Sequence, residues 1–462
     1  MDRRINLLED DIGKSLFRMA MPLMGTAFIQ MAYSLTDVMW LGRLSTNAVA
    51  AVGTCSFFVW IANAITLIAK TGISVGLAQA YGKNDFRESK EVMRAGIHVN
   101  LVFCLLVGSI LYFFRDSILG FYHLPETVHQ MAYQYLGIIA LGMFFTFMNP
   151  VFSATFYARG NSVTPFKVSV IALVLNIVVD PILIFGIGPI PRLGTAGAAL
   201  ATVLAQGVGT VILILVAKRE RTMLIQTKYL RPSSKKYIGD ILHLGVPACI
   251  QSTIHASVGI VLNKYIAGYG ARPIAVYAIG SQIESLSWMT SDGFSTAISA
   301  FMGQNYGAKK FERIKKGYIV GLKIVGSLGI FATILLFFGN EHLFRLFIPE
   351  DPVTILMGGE YLKILSISQF FMTLEIGTSG ALNGLSLTRY PAIIGTVFNL
   401  ARIPLSFLFM PLWGVNGIWA SMSFSSVLKG TLAFFAFWYI YKRTNGFSEN
   451  MEKYISRVSS VS

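Results

Sequence analysis

Apolar runs separated by short polar stretches recur along the whole chain of 462 residues. A helix needs about 20 mostly apolar residues to cross a bilayer, and twelve runs reach that length. In the first half they fall at 15–40, 48–73, 95–114, 133–155, 166–187 and 194–217; in the second, at 241–267, 274–301, 318–338, 361–382, 391–410 and 415–441. The pattern predicts an all-α integral membrane protein with twelve transmembrane helices, since a helix satisfies its own backbone polar groups inside hydrocarbon.

The two halves match each other at an offset of about 225 residues. NAVAAVG (47–53) pairs with IAVYAIG (274–280), AQAYGKNDF (78–86) with GQNYGAKKF (303–311), NIVVDP (176–181) with NLARIP (399–404), GTAGAALA (194–201) with GVNGIWAS (414–421), and Pro22 with Pro247. Each copy holds an even number of helices and so starts from the same side, which predicts a parallel repeat about an axis along the membrane normal. The expected organisation is an N-terminal lobe at 1–217, a basic linker at 218–238 and a C-terminal lobe with a tail at 239–462.

Against that apolar background the polar residues stand out. A charge at the bilayer centre costs at least about 2.5 to 3.5 kcal/mol on insertion scales, so such residues usually mark a pathway or relay. Asp37 follows Tyr33 by four residues and Gln30 by seven, which puts all three on one helical face. Asp180 follows Asn176 by one turn, and Pro181 frees the carbonyl of Ile177 as an acceptor. In the second copy the positions of Asp37 and Asp180 hold Leu262 and Ile403, so the fold itself requires neither acid. No base lies in the central part of a first-lobe helix. The two carboxylates are therefore suited to take up a proton or a sodium ion; the plainer alternative is a polar contact that packs two helices. The second lobe carries Glu284, Asp292 and Glu375 together with Arg402 and Lys429. Structural ion pairs are the expectation there, with Glu284 and Glu375 as the candidates should that lobe hold a second ion or substrate site.

Composition narrows the class further. Hydrophobic residues make up 54% of the chain and charged ones only 13%, about half the usual charged share of soluble domains. The net charge of +15 would fit nucleic acid, but its distribution does not. The two termini and the loops on their side hold 27 Lys and Arg; the opposite loops hold six, Arg43, Arg115, Arg192, Lys264, Arg272 and Arg345. By the positive-inside rule both termini are cytoplasmic, the protein is multi-pass in the cytoplasmic membrane, and the basic excess faces anionic lipid rather than nucleic acid. The mixed-charge start, MDRRINLLEDDIGK, is expected to stay attached. Cys55, Cys104 and Cys249 lie inside spans without paired or metal-ligand spacing and are expected as buried thiols. No phosphate-binding Gly-rich loop, HExxH or GxSxG occurs, so neither direct ATP drive nor common membrane hydrolase chemistry is supported.

The first-helix pattern PLMGTAFIQMAYSLTDVMWLGRL, the loop AQAYGKND, and NIVVDPILIFG followed by GTAGAALAT resemble the MATE (multidrug and toxic compound extrusion) family over essentially the full chain. The resemblance implies a V-shaped cavity between the lobes and export of cationic, amphipathic compounds in exchange for protons or sodium ions, without a cofactor. Within the family, Asp37 and Asp180 resemble the first-lobe acidic pair of the DinF-like branch, and Gln30, Tyr33, Tyr135, Asn176 and Thr202 fall on that branch's polar cluster. At helix 4, Asn149 stands about one residue from the asparagine of the pattern. The acid that the NorM-like branch places in helix 7 is absent, with Ala256 in its neighbourhood, and Glu375 lies beside that branch's helix-10 acid.

The reading is a monomeric cation-coupled antiporter, not an enzyme. Asp37, Asn176, Asp180 and Thr202 form its ion-coupling site and would be the ligands of a sodium ion; Gln30, Tyr33, Tyr135 and Asn149 line its substrate cavity. The alternatives are a flippase for a lipid-linked sugar and a membrane-embedded lipid enzyme.

Overall fold

The computed structural model describes residues 5–186, 188–349 and 351–447. Arg3, Arg4, Lys453 and Arg457, which entered the charge count, and Ile187, the end of the fifth predicted span, lie outside the described residues.

All regular structure among the described residues is helical. In the first half the helices are α1 (Ile12–Leu44), α2 (Thr46–Gly82), α3 (Phe86–Phe113), α4 (Arg115–Gly120), α5 (Glu126–Ala158), α6 (Val163–Phe185), α7 (Thr195–Arg219) and α8 (Met223–Gln226). In the second half they are α9 (Lys235–Ala267), α10 (Ala271–Gly307), α11 (Phe311–Phe338), α12 (Asn340–Arg345), α13 (Pro352–Gly384), α14 (Arg389–Trp413) and α15 (Val415–Arg443). Among the described residues, nine helices are long and apolar enough to cross a membrane. Three other long ones, α1, α10 and α13, fall outside that measure. They are the helices that carry Asp37, Glu284 and Glu375, so polar side chains have diluted their hydropathy.

The helices overrun the apolar runs because hydropathy marks hydrocarbon depth, whereas capping marks helix ends. Helix α3 begins at Asp85, whose carboxylate accepts from the Arg87 and Glu88 backbone N–H groups at 2.9 Å each. The corresponding α11 starts at Lys310 with no side-chain cap. The six-residue helices α4 and α12 occupy matching places after the third long helix of each half; they are too short to leave a periodic signal.

The internal repeat extends to backbone detail. Gly194 (φ 58°) and Gly414 (φ 57°) precede α7 and α15 in the left-handed region that glycine favours. Three residues on, Gly197 and Gly417 press against the helix before them, and a Cβ would strike the carbonyl of Leu183 or of Phe409.

The chain forms two compact units, Gly25–Cys249 and Ile5–Met24 together with the described residues from Ile250 onward. Their boundaries fall inside α1 and α9, each two residues beyond a proline, Pro22 and Pro247. The first unit has two apolar cores, one around Tyr135, Met143 and Phe147, the other around Ile73, Met148 and Phe156. In the second unit Tyr361 and Trp419 meet edge to face at 5.2 Å within an apolar cluster.

The linker at 218–238 is tied down within the first unit. Arg94 of α3 donates from Nε to the Lys228 carbonyl at 2.9 Å. His98 donates from Nε2 to the Tyr229 carbonyl, and its Nδ1 accepts from the Ser233 hydroxyl, both at 2.8 Å. Since a carbonyl can only accept, Nε2 carries the proton. None of the three cysteines forms a disulfide; Cys55 and Cys104 are buried as expected, whereas Cys249 is half-buried.

Candidate functional site

Three helices of the first unit supply the polar cluster. Asn176 and Asp180 stand one turn apart on α6 and are both fully buried. Asp37 comes from α1 and Thr202, 9% exposed, from the first turns of α7. The Asp37 carboxylate is within side-chain reach of Asp180, Asn176 and Thr202. Aligned hydrogen bonds are nonetheless missing. Asp37 Oδ1, both Asp180 carboxylate oxygens, both polar atoms of the Asn176 amide and Thr202 Oγ1 are buried without a partner among the described residues.

Buried polar atoms almost always have partners, and leaving one unmade costs about 1–3 kcal/mol. Here six such atoms from four residues share one place. Two neighbouring carboxylates also repel when both are charged. A proton or a small hard cation bridging the acids would relieve both costs. Among the described residues no group of three His, Cys, Asp or Glu could hold a metal. The donors present are two carboxylates, an amide oxygen and a hydroxyl, a set that fits a proton or a sodium ion better than a softer metal.

Two phenols border the cluster. Tyr33 donates from its hydroxyl to the Thr202 carbonyl at 3.4 Å, a long contact, and both Tyr33 and Tyr135 lie within electrostatic reach of Asp37 and Asp180. The structure thus brings together Asp37, Asp180, Asn176, Thr202, Tyr33 and Tyr135. Asn149 is engaged elsewhere: its Nδ2 donates to the Gln206 carbonyl at 3.0 Å and its Oδ1 accepts from Thr210 at 2.7 Å. Gln30 is exposed on α1, two turns before Asp37. Sequence reasoning passed over Thr146, Gln206 and Thr210. Thr146 donates to Gln206 Oε1 at 2.9 Å, and the available signal was Gln206 and Thr210 four apart on one face of α7.

The second-unit residues also gather, but not as the expected set of ion pairs. Lys429 lies 3.9 Å from Glu375 and donates to Asn399 Oδ1 at 3.3 Å. Glu284 accepts from Gln369 Nε2 at 3.3 Å. Arg402 has no carboxylate within 4.0 Å among the described residues; Ser425 and Ser426 hold it instead, at 2.8 and 3.1 Å. Its backbone position on α14 aims the guanidinium at α15, where hydroxyls rather than acids stand.

Comparison with known proteins gives the family and the fold. The MatE family model matches residues 22–182 and 247–408, once in each half. A curated relative from Thermotoga maritima, described as "Probable multidrug resistance protein NorM", is 29% identical over 432 residues, covering 91% of each chain. Another, from Shewanella oneidensis and described as "FAD transporter", is 23% identical over 444 residues, covering 94% of this chain and 96% of its own. Among solved structures, a Vibrio cholerae MATE transporter in the bent form has the same fold, with a TM-score of 0.86 at 21% identity, covering 94% of this chain and 98% of its own.

Proposed function

Because the chain belongs to the MatE family, and is therefore a multi-pass membrane transporter rather than an enzyme, we propose that it exports amphipathic, mostly cationic compounds from the cytoplasm in exchange for protons or sodium ions. The observation that carries this reading is the group of buried, unpartnered oxygens on Asp37, Asp180, Asn176 and Thr202. Their ligand is the coupling ion, and Tyr33 and Tyr135 border its path. The matched relative described as a multidrug resistance protein supports a small-molecule cargo.

In this mechanism access alternates between the two sides of the membrane. The outward-facing state admits the ion to Asp37 and Asp180, which cancels charge between α1 and α6 and changes the contacts that α1 can make. That change releases the cargo outward. The inward-facing state returns the ion to the cytoplasm and accepts a new cargo molecule. One charge crossing 100 mV supplies about 2.3 kcal/mol to drive the cycle.

Dye uptake into everted vesicles, with the pH gradient and the sodium gradient collapsed in separate runs, tests the reading. Transport should stop with one collapse and survive the other, and correctly inserted Asp37→Asn and Asp180→Asn proteins should be inactive. Native-rate dye accumulation against a gradient by both variants would overturn it.

A further inference from the structure

The second unit holds a buried cationic pair that the coupling mechanism does not use. Arg402 is 8% exposed and Lys429 is 7% exposed. The guanidinium donates from Nε to Ser425 Oγ and from one terminal nitrogen, Nη2, to Ser426 Oγ. Those hydroxyls are neutral acceptors, and no acceptor among the described residues meets the other terminal nitrogen, Nη1. A buried guanidinium without a carboxylate is costly unless something supplies the charge.

The internal repeat shows that the fold does not demand these bases. Matching NIVVDP to NLARIP puts Arg402 opposite Val179, and matching GTAGAALA to GVNGIWAS puts Lys429 opposite Gly209. Asn176 and Asn399 are shared by both copies, so the asparagine that accompanies the acids in the first unit accompanies the bases in the second. Each copy therefore adds its own charged residues around the shared asparagine, acids in the first and a cationic pair in the second.

Less buried groups adjoin the cluster. His255 is exposed and lies within hydrogen-bonding reach of Asn399, while Tyr277 and Glu284 are half-buried. Glu284 is within electrostatic reach of both Arg402 and Lys429, and its carboxylate accepts the long contact from Gln369 with Tyr361 also within side-chain reach. Tyr361 OH and Gln369 Oε1 are buried without an aligned partner. Two acids and two bases in loose contact, one pair at 3.9 Å and none at Arg402, can exchange their internal partners for those of a ligand.

We propose that the second unit contains a binding subsite for the carboxylate of an amphiphilic, zwitterionic cargo, with Arg402 as its direct ligand, Lys429 as the second cation, and Glu284 facing the cargo's positive group. The planar guanidinium edge left free by the serines is the geometry that a carboxylate accepts best. The inference rests on the reading of a small-molecule exporter and refines its cargo, from cations in general to molecules that carry both charges.

A matched pair of dyes tests it: a rhodamine with a free benzoate, which is zwitterionic, and the methyl ester of the same rhodamine, which is a plain cation. Binding to the purified full-length protein is read by fluorescence polarisation without any ion gradient. The native protein should hold the free acid more tightly than the ester. Arg402→Gln should weaken the acid at least about tenfold and leave the ester within about twofold, and Arg402→Lys should restore part of the difference. Equal weakening of both dyes, or no preference in the native protein, overturns the subsite. If Arg402→Gln does not purify as a single species, the native preference and Arg402→Lys still decide the matter. Failure to bind either dye would instead sink the proposed export function, whereas binding of both without discrimination sinks only the subsite.

Discussion

Asp180 is closed off from solvent, one turn from Asn176, and neither side chain finds an aligned partner among the described residues. A residue selected for stability alone would not be left so, because an apolar side chain of similar size would remove the cost. Asp180→Asn should therefore leave the thermal midpoint of the purified protein unchanged or raised, while gradient-driven efflux falls at least about tenfold, within the range of typical coupling energies. A drop in the midpoint with efflux preserved would make the acid structural. The candidate acids were legible in the sequence because the second copy replaces them with Leu262 and Ile403. Tyr33 was legible from its place one turn before Asp37, whereas Tyr135 and Thr202 came with the family resemblance, and the structure places all three beside those acids. The engagement of Asn149 by Gln206 and Thr210 was not legible, since helical periodicity gives the face of a residue but not which neighbouring helix that face meets. The same limit hid Arg402: counting acids and bases suggested pairing, and only the positions of Ser425 and Ser426 show where the guanidinium goes.

Among the elements, the hairpins α6–α7 and α14–α15 depend on close approach at Gly197 and Gly417, where backbone carbonyls occupy the space that a side chain would need. Gly197→Ala should be destabilising by about 1–3 kcal/mol through overpacking. Gly53, inside α2, has no atom within 4 Å of an added Cβ, so Gly53→Ala should stabilise by about 0.5–1 kcal/mol. Opposite shifts in the thermal midpoint for these two substitutions are the expected result; shifts of the same sign would contradict it. The Asp85 cap gives a second test at this scale. Asp85→Ala should cost about 1 kcal/mol, and Lys310→Ala, at the equivalent but uncapped start of α11, should cost less. The existence of the long helices was legible from hydropathy. Their ends were not, because capping side chains such as Asp85 and Asp351 lie outside the apolar runs.

For the whole molecule, sequence and structure agree on two halves built alike but divide the chain at different points. Reasoning from the sequence put the division in the basic linker; the contacts place it inside α1 and α9, just beyond Pro22 and Pro247. A hydropathy profile cannot show this, since each helix reads as one continuous apolar run on both sides of its proline. What the sequence does carry at this scale is the charge asymmetry, 27 basic residues on the side of the termini against six on the other. Short basic loops resist translocation, so this bias predicts an orientation with the linker inside. Two exposed arginines test that orientation: Arg231 in the linker, and Arg192 between α6 and α7. In a background with Cys55, Cys104 and Cys249 replaced, Arg192→Cys should react with a membrane-impermeant maleimide on intact cells. Arg231→Cys should react only after permeabilisation. The reverse pattern would invert the molecule in the membrane, and with it the direction in which the Asp37 and Asp180 site meets its ion gradient.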